Sequence, residues 1–392
     1  MILNYKSQWQ NTLENPYRFF FPLSIIGLIT GLALVLRPIN ANIIFWHREI
    51  LITLYLMPVA TGFLYTATPR FFNSYFAKNW EIFFTVLWII LLFIFYFFNS
   101  LELYLIFKFI YIFQISFFVL MRYIKRKSGN PLFAPFIFIS LFCGILGTIF
   151  QILYNFYHLT YLYNYYYVLY YYAMFWILLF GVGTKFFPML TLTTPLSEDR
   201  KYQILSKKLY NSHLFWYIYA ILFLLTFLFE ATNYQKISLW VRAILVLFLS
   251  HEAWYLYFPA QRKGIYTFFI KLYLYTIVIG HFIFPIFPEV KQHLYHTLFV
   301  GGYLGLVLIV FGRVIISHEK LDLILEVKSK IFAVSFSLIY IALWTRVTAY
   351  LINSYENHLK YASLTALLGI LLFVGFLIKN LYNKYKSIKT EM

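Results

Sequence analysis

Charged side chains are scarce in this sequence, at 12% against 62% hydrophobic, where a soluble domain carries about a quarter charged. That scarcity excludes a soluble globular domain, and no stretch between the apolar runs is long enough to build a separate core. Cysteine is almost absent. The single Cys143 rules out an internal disulfide and a cysteine-based metal cage, and within an apolar run it reads as a space-filling residue. The polar stretch before the first apolar run lacks a small-residue cleavage site, so that run is expected to be a retained helix and not a removed signal. Strict apolar/polar alternation over roughly ten positions is missing too, which excludes outer-membrane β-barrel strands.

What is present is a series of twelve apolar runs, at roughly 19–36, 44–66, 80–98, 103–121, 131–153, 165–187, 213–231, 237–258, 265–287, 293–316, 331–352 and 362–379. As a helix, each covers about 30 Å of hydrocarbon at about 1.5 Å per residue. The expected fold class is therefore all-α, a polytopic membrane bundle of about 12 transmembrane helices. A net charge of +18 would suggest a nucleic-acid partner in a soluble protein. Here most cations fall in short loops, and no nucleic acid is expected. One side of the bundle carries nearly all of them, while the other has only Arg37, Lys236, Lys291 and Lys360, which predicts that both termini are cytoplasmic.

The whole chain, 1–392, reads as a single transmembrane domain whose halves, 1–187 and 213–392, are joined by a cytoplasmic loop, 188–212, holding "SEDRKYQILSKK". No sequence repeat relates the halves. The run "YLYNYYYVLYYY" at 161–172 falls where an aromatic belt is expected, with a tyrosine redox chain as the competing reading.

Ionisable groups inside hydrocarbon cost about 2.5–3.5 kcal/mol each at mid-helix on insertion scales, so they tend to line sites and cavities. His47, His281 and His296 all fall in the outer half of their runs, and Arg242 and Arg346 lie at similar depth. His293, three residues before His296, shares its helical face. Imidazole is the usual protein ligand for haem iron and copper, and arginine pairs with carboxylates such as haem propionates. The competing reading makes each histidine an interfacial residue bonded to a neighbouring carbonyl. His251 and Glu252 could relay protons or support a metal site, with a buried structural pair as the competing reading, although adjacent helical residues point to different faces. His318 and Arg313, near the end of the tenth run, suit the last carbonyls and the negative end of a helix dipole. Lys271 reads as a snorkelling side chain. His158, His213 and His358 carry little signal.

The stretch "LYHTLFVGGYLGLVLIVFGRVIISHE", with His296, Gly301, Gly305, Arg313 and His318, resembles the tenth-helix signature of the NnrS family. "FWHREILITLYLMPVATGFLYTATPRFF" resembles the family's second helix, with Trp46 and His47 at its start, Gly62 to Ala67 and then Pro69. "YRFFFPL", "GVGTKFFPMLT" and "WTRVTAY" resemble further family segments in the same order, with Arg18 matching and Lys185 standing where an arginine or a neighbour is expected. Two positions depart from the pattern. The family's His-x-His-Glu is here His47, Arg48, Glu49, one imidazole fewer, and its Gly-His-Thr-Gly-Arg is here Ser317, His318, Glu319, Lys320.

The resemblance implies a haem-containing and copper-containing protein of the bacterial inner membrane that protects against nitrosative stress. Its partners would then be nitric oxide or a similar small apolar molecule and membrane lipid, with an electron donor that the sequence does not name. The metal-ligand candidates are His47, His281, His296, His293, His251 and His318, and the cofactor-binding candidates are Arg242, Arg346 and Arg313. Two other classes compete with this. A secondary transporter would use Lys271, Arg242 and Arg346 to hold an anion. An oxidase-like or nitric-oxide-reductase-like catalytic subunit fits less well, because no run contains adjacent histidines.

Overall fold

The computed structural model describes residues 14–391 except Ser128, Asn130, 194–204, Ser206 and Asn233. Every expected run is helical, and no strand occurs among the described residues. The helices are α1 (Tyr17–Leu34), α2 (Ala41–Phe71), α3 (Asn79–Phe97), α4 (Leu101–Ile124), α5 (Ala134–Tyr157), α6 (Thr160–Thr191), α7 (His213–Glu230), α8 (Gln235–Glu252), α9 (Ile265–Ile283), α10 (Pro288–His318), α11 (Lys330–Leu351) and α12 (Tyr355–Lys386). Among the described residues, eleven of these are long and apolar enough to cross a membrane. The remaining one, α8, has 18 residues but carries Lys236, Arg242 and Glu252. The chain is an all-α multi-pass membrane protein. Most of the "SEDRKYQILSKK" stretch expected to link two halves lies outside the described residues.

Local chemistry sets the helix ends. Asn40 Oδ1 accepts the Ile43 amide at 2.9 Å and so starts α2, as Ser329 Oγ does for α11 through Phe332 at 3.2 Å. α9 stops at Ile283, earlier than the apolar run suggests, because Pro285 and then Pro288 cannot continue the ladder. α8 stops at Glu252 although apolar residues continue, and the chain turns through Tyr255 at φ 50°. Before α9, Gly264 sits at φ 130°, a conformation that a side chain rarely adopts.

Among the described residues three helices contain π-helical segments: Ile50–Leu56 in α2, Tyr167–Ala173 in α6 and Thr297–Leu306 in α10. Such segments wind in an extra residue, and they persist where neighbouring packing fixes them.

The described chain divides into two compact units. The first comprises 1–31, 45–182 and 205–238. Within it α2 is largely buried, and a Cβ on Gly27 of α1 would overlap the Leu54 carbonyl of the α2 π segment, so these helices meet backbone to backbone. At one end of this unit Arg122 of α4 grips Glu81 of α3 with two bonds of 2.5 Å, stacked over the Phe118 ring at 3.6 Å. The second unit comprises 32–44, 183–204 and 239–392. There α9 packs on the α10 π segment, α11 runs along α12, and the Tyr273 hydroxyl donates to the Phe336 carbonyl at 3.0 Å.

Arg122→Met should strand a buried carboxylate and destabilise the protein by about 3–5 kcal/mol, whereas Glu81→Gln combined with Arg122→Met should cost much less. Chemical unfolding of the three proteins in detergent micelles measures the difference, and equal losses in the single and double variants would remove the pair as a determinant of stability.

Candidate functional site

The histidines singled out from the sequence fall into distinct environments. His47 lies about 9 Å along α2 from its start, at 1.5 Å per residue, and its Nδ1 is 2.7 Å from the Gly31 carbonyl. His281 is buried in the last turn of α9, its Nδ1 2.8 Å from the Ile277 carbonyl, and His296 Nδ1 lies 3.0 Å from the Gln292 carbonyl. A carbonyl oxygen can only accept, so in all three rings Nδ1 bears a hydrogen and donates it. This is the second-shell arrangement that fixes the tautomer and orientation of a metal-ligating imidazole. His296 also stands immediately ahead of a π segment, and His47 lies within a turn of the start of another; such segments recur at functional sites.

Two of these imidazoles share a neighbourhood in the second unit. A Cβ on Gly280 would overlap Thr297, so the backbone next to His281 touches the residue that follows His296. His47 belongs to the first unit. His293 is held the other way round. Arg346 Nη1 donates to its Nδ1 at 3.0 Å, so the lone pair there is engaged and the hydrogen lies on Nε2, with the Tyr350 and Tyr355 rings alongside. Arg242 is buried in α8 within electrostatic reach of Tyr303 in the α10 π segment. Among the described residues no group of three or more His, Cys, Asp or Glu side chains is arranged to hold a metal ion.

His251 Nδ1 meets Glu252 Oε1 at 2.7 Å. The two side chains therefore pair although they are adjacent in sequence, at the last two residues of α8. Arg313 does not cap the end of its helix. Its Nη1 pairs with Glu326 Oε2 at 2.6 Å, a buried carboxylate on the short helix Ile324–Lys328. Burial pushes the Glu326 carboxyl above its ordinary value, and the Arg313 guanidinium offsets only part of that. His318 is exposed at the end of α10. Lys271 Nζ reaches the Phe258 carbonyl at 2.5 Å.

The densest polar cluster was not apparent from the sequence. Glu49 of α2, Lys108 of α4, Gln151 of α5 and Tyr171 of the α6 π segment converge with almost no exposure. Glu49 Oε1 accepts from Gln151 at 2.8 Å, from Lys108 at 3.3 Å and from the Tyr171 hydroxyl, and Oε2 accepts from Lys108 at 3.0 Å and Thr53 at 3.2 Å. Lys108 also donates to Gln151 and lies 4.1 Å over the Tyr170 ring, whose hydroxyl meets Thr53 Oγ1 at 2.7 Å. Four helices are thus tied together two residues beyond His47. The available sequence signal was a lysine in the middle of an apolar run, which needs a partner; its partner lies 59 residues earlier.

Compared with known proteins, the chain matches over residues 11–382 the family model described as NnrS protein. No curated protein matches it.

Lys108→Met alone should cost about 3–5 kcal/mol by leaving Glu49 charged and unpaired, and Glu49→Gln in the same chain should restore most of it. A double-mutant cycle of unfolding free energies tests this, and strict additivity would refute the coupling. For Glu326 the folded state holds its proton more tightly than the unfolded chain. Its contribution to stability is therefore full below the ordinary pKa of 4.5 and is lost as pH rises through the raised value. Glu326→Gln should flatten that part of the stability-against-pH curve; an unchanged slope would place the titration elsewhere.

Proposed function

The chain belongs to the NnrS family, and from that premise we propose a haem-binding protein of the bacterial inner membrane that binds nitric oxide or protects against nitrosative damage. Family membership supports a role in the nitric oxide response. The observation that supports the haem reading is the shared anchoring of His47, His281 and His296, each with Nδ1 hydrogen-bonded to a backbone carbonyl.

A porphyrin supplies four of the iron's nitrogens, so one or two imidazoles complete its coordination. That demand fits single anchored histidines on helices. A copper ion held by side chains alone needs more donors, and no such group occurs among the described residues. Copper therefore rests on the family resemblance alone, and no chemistry is derived through it. His47, His281 and His296 would supply the imidazole nitrogens that hold the iron, and the cations of Arg242 and Arg346 would pair with the propionates. When bound, ferrous haem supplies an iron atom that takes nitric oxide directly.

The chain's own residues supply the setting. Their hydrogen-bonded Nδ1 atoms hold the rings in orientation. The Glu49 network fixes the part of α2 on which His47 stands. Nitric oxide is small and apolar, so it partitions into lipid and reaches helices whose outer faces are lined by residues such as Phe83, Phe113 and Ile244.

Protein purified after expression with an ample haem supply should show a Soret band, and reduction followed by nitric oxide should shift it. His47→Ala, His281→Ala and His296→Ala, measured by pyridine haemochrome content, should each lower the haem bound if the residue is a ligand. A colourless protein sinks the haem reading, and unchanged content in one variant removes that histidine from the site.

A further inference from the structure

We propose that Arg48, between His47 and the buried Glu49, forms one wall of a binding site for a small planar oxyanion, of the carboxylate, bicarbonate or nitrate type. The proposal concerns the first unit alone and does not depend on the haem reading.

The Arg48 guanidinium lies in a corner made by two tyrosine rings of the α6 π segment. Its central carbon is 4.8 Å from the centroid of Tyr167 and 4.8 Å from that of Tyr171, and the two rings stand 5.4 Å apart at 70° to one another. A guanidinium has five N–H donors and no acceptor. Among the described residues none of these donors meets a protein acceptor, no carboxylate pairs with the charge, and the Nε atom is fully buried.

The nearest acid cannot supply the missing charge. Glu49 already accepts from Lys108, Gln151, Tyr171 and Thr53, so its single negative charge is matched to Lys108. Arg48, Lys108 and Glu49 together therefore leave one positive charge uncompensated about 10 Å along α2 at 1.5 Å per residue. A cation at that depth is costly without a counter-charge. Arg48 is only half-buried, which leaves an approach for an anion from outside.

The geometry also selects the shape of that anion. Ring contacts occupy the side of the guanidinium toward α6, and its N–H fork matches two oxygens held in one plane. The Tyr172 hydroxyl donates to the Tyr167 hydroxyl at 3.1 Å, so the Tyr167 hydrogen remains to be donated. The Tyr171 hydroxyl is committed to Glu49 and keeps that ring in place. The same tyrosines that stack on the cation thus hold it fixed and present a further donor.

The test is thermal unfolding of the purified full chain in detergent, in sodium formate or nitrate against sodium fluoride at equal ionic strength. Formate and nitrate should raise Tm saturably, since a ligand that binds only the folded state shifts the equilibrium toward it. Arg48→Gln should abolish that response and should itself raise Tm in fluoride, because the uncompensated charge is gone. Arg48→Lys keeps the charge and loses the fork, so the concentration for half the rise should increase about tenfold, the loss of one charge-assisted hydrogen bond. If Arg48→Gln does not fold, the lysine variant carries the comparison. Three results overturn the proposal: a wild-type Tm indifferent to the anion, a variant that responds like the wild type, or stabilisation by anionic lipid vesicles and not by formate.

Discussion

A charge placed in hydrocarbon must bring its partner with it, and that constraint organises the polar interior of both units. Glu49 and Lys108 meet across two helices, with Gln151, Tyr171 and Thr53 taking up the remaining hydrogen-bond capacity. Glu81 and Arg122 do the same at another level of the first unit, and Arg313 and Glu326 in the second. Such pairs add little over an apolar core of equal volume, yet separating one is expensive, so they select one arrangement of helices among many that lipid-like side chains would tolerate. Arg48 departs from this pattern, which is why it stands out as a place where something else binds.

The paired charges also explain how a histidine can be held steady in a bundle of flexible apolar contacts. His47 is two residues from Glu49, so the ring stands on a backbone fastened to α4, α5 and α6. Its own Nδ1 adds a tie to α1 through Gly31. In the second unit the close approach of Gly280 and Thr297 does comparable work for His281 and His296. Anchoring both the ring and the helix beneath it is what a ligand to a haem would need.

The helices were legible because hydrocarbon demands long apolar runs, and all twelve runs fold as helices, with α8 set apart by three charged residues. Their depths single out His47, His281 and His296 in the sequence itself. Three things were not legible. The partner of Lys108 depends on which helices touch, which apolar runs do not encode. The contact of His251 with Glu252 depends on side-chain directions at the end of α8, which apolar runs do not encode. Arg313 finds Glu326 on a short helix outside the apolar runs, where hydropathy has nothing to say. The tautomers of the histidines likewise follow from carbonyl positions and not from residue type.

The π segments leave a mark on how this chain can change. A π segment winds surplus chain into a continuous helix, and about 100° of rotation separates consecutive side chains in the α-helical turns on either side. Loss of a single residue from Ile50–Leu56 would let α2 relax to ordinary winding, swinging His47 and its neighbours round relative to Pro58 and everything after it. Direction, in such a helix, is thus adjustable by the gain or loss of one amino acid, and two sequences of this kind can align over their full length yet aim the same histidine at different neighbours.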